Sequence, residues 1–119
     1  MSDSNRALGR AWLAAFNDGD LDRLVGLYAE QATHTSPKLR AREPSTNGRI
    51  TGRAALRAWW ADAFARLPGL RYDELTVTAD DARVFLEYER RAPDEPPYVV
   101  AEVFDVEAGR IVASRVYHG

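Results

Sequence analysis

Tyr98-Val99-Val100-Ala101-Glu102-Val103-Phe104 is a stretch in which every residue except one is apolar. Seven residues rich in valine and aromatic side chains are typical of a β-strand. Because apolar residues occupy both sides of the alternation, the pattern predicts a strand covered on both faces. A carboxyl is costly in such a place unless it is paired, hydrogen-bonded or kept neutral. Perturbed carboxyls of this kind cluster at functional sites, so Glu102 is the first candidate site residue.

Further strands are predicted on both sides of this stretch. Residues 107–109, Glu-Ala-Gly, predict a short hairpin to a last strand, and residues 83–91 alternate as an earlier one. The segment from Leu70 to Ala79 is less regular, because its apolar residues change from even to odd positions. One extra residue near positions 73–74, a β-bulge, explains that change.

Helical periodicity dominates the first half of the chain. Apolar side chains recur every three or four residues over 8–16, 21–28 and 56–67, which predicts three amphipathic helices. Gly19 suits a left-handed cap at the end of the first helix, and Asp20 can cap the second.

The chain between the second and third helices is predicted to be largely irregular. A short strand is expected around residues 32–36, ended by Pro37, and residues 38–48 are typical of a loop. The third helix begins after Thr51-Gly52 and ends at Pro68-Gly69.

The order of elements predicts an α+β fold, with a few helices packed on one side of a mostly antiparallel sheet. Alternation assigns the even-numbered strand residues to one face and the odd-numbered residues to the other. The even set is Val84, Leu86, Tyr88, Val100, Glu102, Phe104, Val106, Val112, Ser114, Val116 and His118. The odd face is also partly apolar, with Phe85, Val103 and Tyr117, and a partner subunit is its simplest cover.

Length and composition exclude several classes of protein. A chain of 119 residues, 45% of them hydrophobic, is expected to form one domain over residues 1–119. The net charge of −2 gives no broad basic field for nucleic acid. Without cysteine there is no disulfide, thiolate ligand or thiolate nucleophile. No signal segment or membrane span is apparent, so a soluble cytoplasmic protein is expected.

Four segments, in this order along the chain, carry a family resemblance. They are AAFNDGDLD at 14–22, LYAEQAT at 27–33, TGRAAL at 51–56 and FDVEAGRIVASRVY at 104–117. With them the chain resembles the nuclear transport factor 2-like superfamily, in its SnoaL-like polyketide-cyclase and ketosteroid-isomerase-like branch. The resemblance implies a cystatin-like cone, in which a strongly curved sheet wraps a long helix and leaves a deep apolar cavity. It also implies a homodimer through the outer face of the sheet.

The same resemblance directs the even-numbered face into the cone. Glu102 falls on the position of the protonated aspartic acid that donates to the oxyanion in ketosteroid isomerase. His118 and Trp59 fall on aromatic positions of that cavity. Two essential positions differ, however, since Trp12 replaces the oxyanion tyrosine and Ser36 replaces the aspartate base. Serine does not take a proton from carbon near pH 7 without a base beside it, so that isomerase mechanism is not expected.

The candidate site follows from these faces. Glu102, His118 and His34 are the candidate catalytic residues, because a histidine titrates near neutral pH and a buried carboxyl can orient it or donate a proton. Glu102 is expected opposite residues 113–114, well inside the cone. The candidate ligand-binding residues are Trp59, Phe64, Tyr88, Leu86, Phe104, Ser114, Val116 and Ser36.

Each candidate also has a purely structural interpretation. Glu102 can complete an internal polar cluster by bonding Trp12 or Ser114, and His118 can be a solvated strand end. The basic residues Lys38, Arg40 and Arg42 either gate the cavity for an anionic ligand or belong to a solvated loop. Two imidazoles and a carboxylate suit zinc or non-haem iron, but no local spacing supports a metal site.

Two functions from different classes remain open at this point. The first is a lyase, isomerase or cyclase that acts by acid–base chemistry, without cofactor or metal, on a small hydrophobic metabolite. The second is a non-catalytic module that binds a hydrophobic small molecule in the same cavity. The fold hosts both classes, so the choice depends on the site itself.

Overall fold

A computed structural model describes residues 2–118, which form four α-helices and a six-stranded sheet. The helices are α1 (Ser2–Asn17), α2 (Leu21–Gly26), α3 (Pro37–Arg42) and α4 (Arg53–Arg66). The strands are β1 (Tyr28–Thr35), β2 (Arg49–Thr51), β3 (Arg71–Ala79), β4 (Arg83–Arg91), β5 (Tyr98–Glu107) and β6 (Arg110–His118). A short 3₁₀ turn, Pro44–Thr46, lies between α3 and β2.

The sheet is curved, open and mostly antiparallel, in the order β2-β1-β6-β5-β4-β3. The one parallel pair among the described strands joins β1 to β6. α1 packs across β3 and β4, while α4 packs against β1 and β2. Helices therefore cover the inner face of the sheet, and the predicted α+β cone is confirmed.

The predicted ends of the first helices are confirmed, with one exception. Gly19 has a left-handed φ of 65°, and the Asp20 side chain accepts a hydrogen bond from the Arg23 backbone N–H. Tyr28, however, does not belong to the second helix, because α2 ends at Gly26 and Tyr28 begins β1. Its ring is nevertheless fully buried, because β1 directs the side chain into the core.

The prediction of a loop over residues 38–48 is wrong. Ser36 caps α3 by accepting a hydrogen bond from the Lys38 N–H at 3.2 Å, and Pro37 occupies the first helical turn. Serine followed by proline is a helix start signal, so the sequence did contain the evidence. Asn47 and Gly48, both with positive φ, then turn the chain into β2.

The register shifts at three places in the described sheet, one of them in the β1–β6 pairing between Tyr28 and Thr33. The predicted bulge in β3 is present one residue later than expected, at Leu75, between the paired positions 74 and 76. A second bulge, in β6, was not predicted: Val106 pairs with Ile111 but Asp105 pairs with Ala113. Ile111 is therefore fully buried, where alternation had assigned Val112 to the inner face.

This bulge and a tight turn also move the partner of Glu102. Ala108 and Gly109 form a two-residue hairpin turn with φ of 52° and 76°, as type I′ turns require. The tighter turn shifts the pairing by one residue and the bulge shifts it by one more. Glu102 consequently lies opposite Val116, and Ser114 lies opposite Phe104.

The outer face of the sheet carries the odd-numbered residues. Phe85, Val99 and Tyr117 are exposed on it to 41%, 41% and 53%. None of the helices in residues 2–118 is both long enough and apolar enough to span a membrane.

Candidate functional site

A cavity of about 260 Å³ lies between the helices and the inner face of the sheet. Six aromatic side chains form part of its wall, and all three tryptophans of the chain are among them. The aromatic lining consists of Trp12 and Phe16 from α1, Trp59 and Trp60 from α4, Tyr72 from β3 and Tyr88 from β4. Such a wall suits an apolar or aromatic molecule.

Seven of the predicted site residues line this cavity and four do not. The seven are His34, Ser36, Trp59, Tyr88, Glu102, Val116 and His118. The expectation that the other four would line it is wrong, for reasons of packing that differ among them.

Leu86, Phe104, Phe64 and Ser114 are the four that do not line the cavity. Leu86 and Phe104 are fully buried, and Phe104 packs against the Trp12 ring with centroids 5.3 Å apart. α1 therefore covers these even-numbered residues and keeps them from the open space. Phe64 packs edge-on against Phe16, in a separate depression near the end of α4. Ser114 is fully buried behind the cavity wall.

Glu102 is the one carboxyl that is fully buried in the described chain, with 1% of its surface exposed. The Tyr88 hydroxyl donates a hydrogen bond to Oε1 at 2.9 Å, and Oε2 has no hydrogen-bond partner within residues 2–118. Burial raises the pKa of Glu102 to about 8, although the Tyr88 hydrogen bond acts to lower it. Near pH 7 the carboxyl is therefore mostly protonated, and the free oxygen can carry a proton to donate.

The tyrosines beside Glu102 form a stacked aromatic wall. Tyr72 stacks between Phe16 and Tyr88, at centroid distances of 3.9 Å and 4.1 Å. Burial and the nearby Glu102 raise the pKa of both tyrosines well above 10. Tyr88 thus remains a hydroxyl donor to Glu102 throughout the physiological pH range, and contributes no base of its own.

His34 belongs to a buried chain of hydrogen bonds. The Trp12 indole N–H donates to the Tyr28 hydroxyl at 3.1 Å, and Tyr28 donates to Ser114 Oγ at 3.1 Å. Ser114 Oγ lies 2.6 Å from His34 Nδ1. These contacts correct the expectation that Glu102 might bond Trp12 or Ser114, because both groups are already engaged with Tyr28.

The direction of this chain of hydrogen bonds favours one tautomer of His34. The indole N–H of Trp12 can only donate and the Tyr28 hydroxyl donates to Ser114, so the hydroxyl hydrogen of Ser114 is available to donate to Nδ1. Nδ1 is then an acceptor and Nε2 carries the hydrogen. Burial lowers the pKa of His34 to about 4, so the ring stays neutral at pH 7. His34 therefore offers the cavity an N–H donor, and not a base.

A cluster of cationic and aromatic side chains lies at the mouth of the cavity. Arg90 lines it, with only 4% of its side chain exposed, and donates to Glu95 Oε1 at 2.9 Å. The Tyr98 ring lies between Arg90 and Lys38, 5.4 Å and 5.9 Å from the two cationic groups. His118 contacts the same ring edge-on at 5.6 Å.

His118 is exposed at the end of β6, next to that cluster. Partial burial lowers its pKa below 6.5, and the charges of Lys38 and Arg90 lower it further. Its imidazole is therefore neutral and able to accept a proton at pH 7.

Ser36 lines the cavity but its hydroxyl serves the backbone. It accepts the hydrogen bond that caps α3, as described above. Within residues 2–118, no group of three or more histidine, aspartate or glutamate side chains is arranged to hold a metal ion. His34, His118 and Glu102 thus share the cavity without forming such a group.

Known proteins share the curved sheet and the helices that cover it. The SnoaL-like domain profile matches residues 9–114, most of the chain. The chain belongs to the SnoaL-like family. No curated protein matches it.

Solved SnoaL-like and related structures share this fold. A SnoaL-like protein of unknown function from Burkholderia thailandensis is 23% identical, with 100% of this chain and 98% of that one aligned at a TM-score of 0.87. A candidate polyketide cyclase from Xanthomonas campestris is 24% identical, with 99% and 92% aligned at 0.82. TerC, crystallised with polyporic acid, is 15% identical, with 98% and 92% aligned at 0.83. At these identities the likeness concerns the fold alone.

This SnoaL-like cavity contains site residues that sequence analysis missed. Arg90 continues the even-numbered alternation of Val84, Leu86 and Tyr88, so its inward position was available from parity. Tyr28 was placed on the wrong element, which hid its link to His34. Nothing in the local sequence indicates that Trp12 and Ser114 meet at that hydroxyl.

Proposed function

We propose that the protein is a cofactor-independent acid–base enzyme, a lyase, isomerase or cyclase acting on a small hydrophobic metabolite. One observation carries the proposal: Glu102 is fully buried beside an aromatic cavity, and its Oε2 has no hydrogen-bond partner among residues 2–118. A protein normally satisfies its buried polar atoms, and an exception calls for an explanation such as a ligand. A protonated carboxyl in this place can donate to a carbonyl oxygen of a substrate.

Two neutral donors support the stabilisation of an oxyanion. Glu102 would donate from its free oxygen, and His34 would donate from Nε2, since Nδ1 is taken by Ser114. Both groups stay uncharged at pH 7, so neither needs to lose a proton before the carbonyl binds. Donors preorganised in an apolar cavity stabilise the charge that develops on oxygen more than water does.

His118 is the proposed general base. It pairs with Val100 while Glu102 pairs with Val116, which makes Glu102 and His118 diagonal neighbours on one face. Their Cα atoms are then about 7–8 Å apart, enough for a substrate carbon and oxygen to lie between the side chains. The lowered pKa of His118 keeps its imidazole free to accept a proton.

The chemistry follows from these roles. His118 takes a proton from the carbon next to the substrate carbonyl, and the electron pair of that C–H bond forms the enolate. The enolate oxygen is held by Glu102 and His34. Return of the proton from His118 to another carbon gives isomerisation. Its transfer to a departing β-hydroxyl gives dehydration, with water as the leaving group. Attack of the enolate carbon on a second carbonyl, whose oxygen takes that proton, gives aldol-type cyclisation.

Exchange of carbon-bound hydrogen tests the proposal without knowledge of the product. Cyclic ketones and β-keto esters in D₂O should gain deuterium beside the carbonyl faster with the protein than with buffer, as measured by NMR. His118→Ala should abolish the excess exchange near neutral pH, and Glu102→Leu should reduce it by about 100-fold or more. Arg10→Gln, a change on the outside of α1, is the control. Exchange at the buffer rate for the whole panel would remove the enzymatic proposal.

The second candidate function is non-catalytic binding of a hydrophobic small molecule. The use of Ser36 as a helix cap favours it, because the position that resembles the general base of ketosteroid isomerase holds no titratable group. In that case the aromatic wall and the donors Glu102 and His34 orient a ligand that is not converted. Binding without hydrogen exchange would identify this function.

The outer face of the sheet supports a homodimer. Phe85, Val99 and Tyr117 are large apolar side chains exposed on that face, which a second copy of the chain would cover. Arg115 is satisfied within its own chain, because it forms two hydrogen bonds with Asp105 and lowers the pKa of that carboxyl to about 2. Arg115 therefore needs no partner from a second copy, and the proposed interface is apolar at its centre.

A further inference from the structure

We propose that the ligand of this cavity is an amphipathic anion, whose negative group binds Arg90 and Lys38 at the mouth while its apolar body occupies the aromatic cavity. A carboxylate is the simplest such group. The inference rests on the proposed function only in so far as the cavity must hold a small molecule.

The lining of the cavity is unbalanced in charge. Four cationic side chains line it, namely Lys38, Arg42, Arg66 and Arg90. Against them stand two carboxylates: Glu95 pairs with Arg90, and Asp62 is shared by Arg66 at 2.7 Å and Arg42 at 3.7 Å. Lys38 forms no ion pair within residues 2–118.

The helical period of α3 places two of these cations on the side of the helix that faces the cavity. Lys38 and Arg42 are four residues apart, so they share one face of the helix and both line the cavity. Arg40, between them, does not line it and instead packs over Gly48. The same short helix therefore supplies both the proposed anion contact and a matched control.

Arg90 is the strongest single argument for an anion. Its side chain is 4% exposed, and a buried guanidinium is costly unless its N–H groups are satisfied. Among residues 2–118 it donates one hydrogen bond, to Glu95, a loop residue whose side chain is 38% exposed. The remaining N–H groups match the planar, two-oxygen geometry of a carboxylate.

The positive potential at the mouth of the cavity also affects the nearby His118. His118 lies against Tyr98, and the charges of both Lys38 and Arg90 lower its pKa. A potential that disfavours protonated histidine favours an anion at the same place. Glu102 does not cancel it, because burial keeps that carboxyl mostly neutral near pH 7.

Strand geometry sets the distance between the anion and the reacting oxygen. Glu102 pairs with Leu86, four residues along β4 from Arg90. Four residues of strand span roughly 13 Å, with Tyr88 between the two ends. The ligand accordingly carries its negative group at the far end of an apolar ring system from the atom that meets Glu102.

A matched pair of probes tests the inference: 2-naphthoate and 2-naphthamide differ in charge but hardly in shape. Calorimetric titration of the full chain should show 2-naphthoate binding about tenfold or more tightly than the amide at low salt, with the advantage shrinking as salt rises. Lys38→Gln and Arg90→Gln should each weaken 2-naphthoate about 5- to 10-fold and leave the amide within about twofold. Arg40→Gln should change neither.

The possible outcomes separate this inference from the proposed function. Equal affinity for the two probes overturns the anion and leaves a binding cavity standing. Binding of neither probe overturns both. An equal loss in Arg40→Gln would mean a diffuse charge effect and would overturn the assigned contacts. Lys38→Gln decides the matter if Arg90→Gln fails to fold, because Lys38 is half-buried and forms no ion pair with the described residues.

Discussion

At the scale of single residues, Glu102 dominates the electrostatics of this protein. It is buried beside one hydroxyl donor, without a cation, and its pKa rises from 4.5 to about 8. The folded chain therefore holds a proton on Glu102 at pH values where the unfolded chain has lost it. Stability from this source is complete below pH 4.5 and decreases as pH rises toward 8.

The first prediction separates the contribution of Glu102 to stability from that of His34 by the choice of pH. His34 has the opposite effect, because its pKa falls from 6.5 to about 4, but most of that effect lies below pH 6.5. Between pH 6.5 and 8 the free energy of unfolding should therefore decrease by about 1 kcal/mol in the wild type. Urea denaturation at both pH values measures it. Glu102→Gln should abolish the decrease, whereas Glu87→Gln on the outer face should retain it; an unchanged decrease in Glu102→Gln would contradict the assignment.

The second prediction concerns the tautomer of His34. ¹⁵N NMR of the imidazole should show hydrogen on Nε2 and none on Nδ1, with no protonation until the pH approaches about 4. Tyr28→Phe removes the hydroxyl between Trp12 and Ser114, so the indole N–H loses its acceptor and unfolding becomes easier by about 1–3 kcal/mol. Ser45→Ala, which removes an exposed hydroxyl, should cost less than about 0.5 kcal/mol. A dominant Nδ1–H form would reverse the deduced direction of the chain.

At the scale of elements, the close packing of α1 on the sheet decides which inward residues reach the cavity. A Cβ at Gly9 would lie 2.9 Å from Val84 Cγ1 and 3.2 Å from Val77 Cγ1. The helix thus approaches β3 and β4 so closely that Val84 and Leu86 are sealed beneath it. The cavity lies farther along α1, where Trp12 and Phe16 line it.

The third prediction tests that contact. Alanine normally stabilises a helix by about 1 kcal/mol relative to glycine, but at Gly9 the added methyl must displace valines. Gly9→Ala should therefore destabilise the protein by about 1 kcal/mol in urea denaturation. Gly26→Ala, at an open position in α2, should instead stabilise it by up to about 1 kcal/mol. Adding Val84→Ala to Gly9→Ala should cost less than the sum of the single changes.

At the scale of the whole molecule, the two faces of the sheet have different tasks. The inner face holds the cavity, and the outer face presents Phe85, Val99 and Tyr117 to solvent in the isolated chain. A homodimer through this face should bury upward of roughly 1,000 Å² in total.

The fourth prediction is that light scattering gives the mass of a dimer at micromolar concentration. Phe85→Glu combined with Tyr117→Glu should give a monomer, because each charge would be buried without a partner. Ala54→Glu, exposed on α4, should leave the dimer intact. A wild-type monomer at that concentration would show that the outer face has no self-association to disrupt.

The sequence by itself determined most of the elements and most of the inward face. Alternation in β4 and β5 placed Tyr88 and Glu102 correctly, and helical spacing placed Trp59, because both signals depend on neighbours along the chain. The alternation in β4, continued to the next inward position, would also have placed Arg90 on the inner face. The start of α3 was also encoded locally, in Ser36 and Pro37.

The tertiary structure alone decided which of these side chains meet. A two-residue turn and a bulge in β6 move the partner of Glu102 to Val116, and the approach of α1 removes Leu86 and Phe104 from the cavity. The series of hydrogen bonds from Trp12 through Tyr28 and Ser114 to His34 includes bonds between residues up to 86 positions apart in the sequence. Local patterns specify a face, whereas hydrogen-bond partners and cavity walls depend on register and packing between distant segments, which no local pattern records.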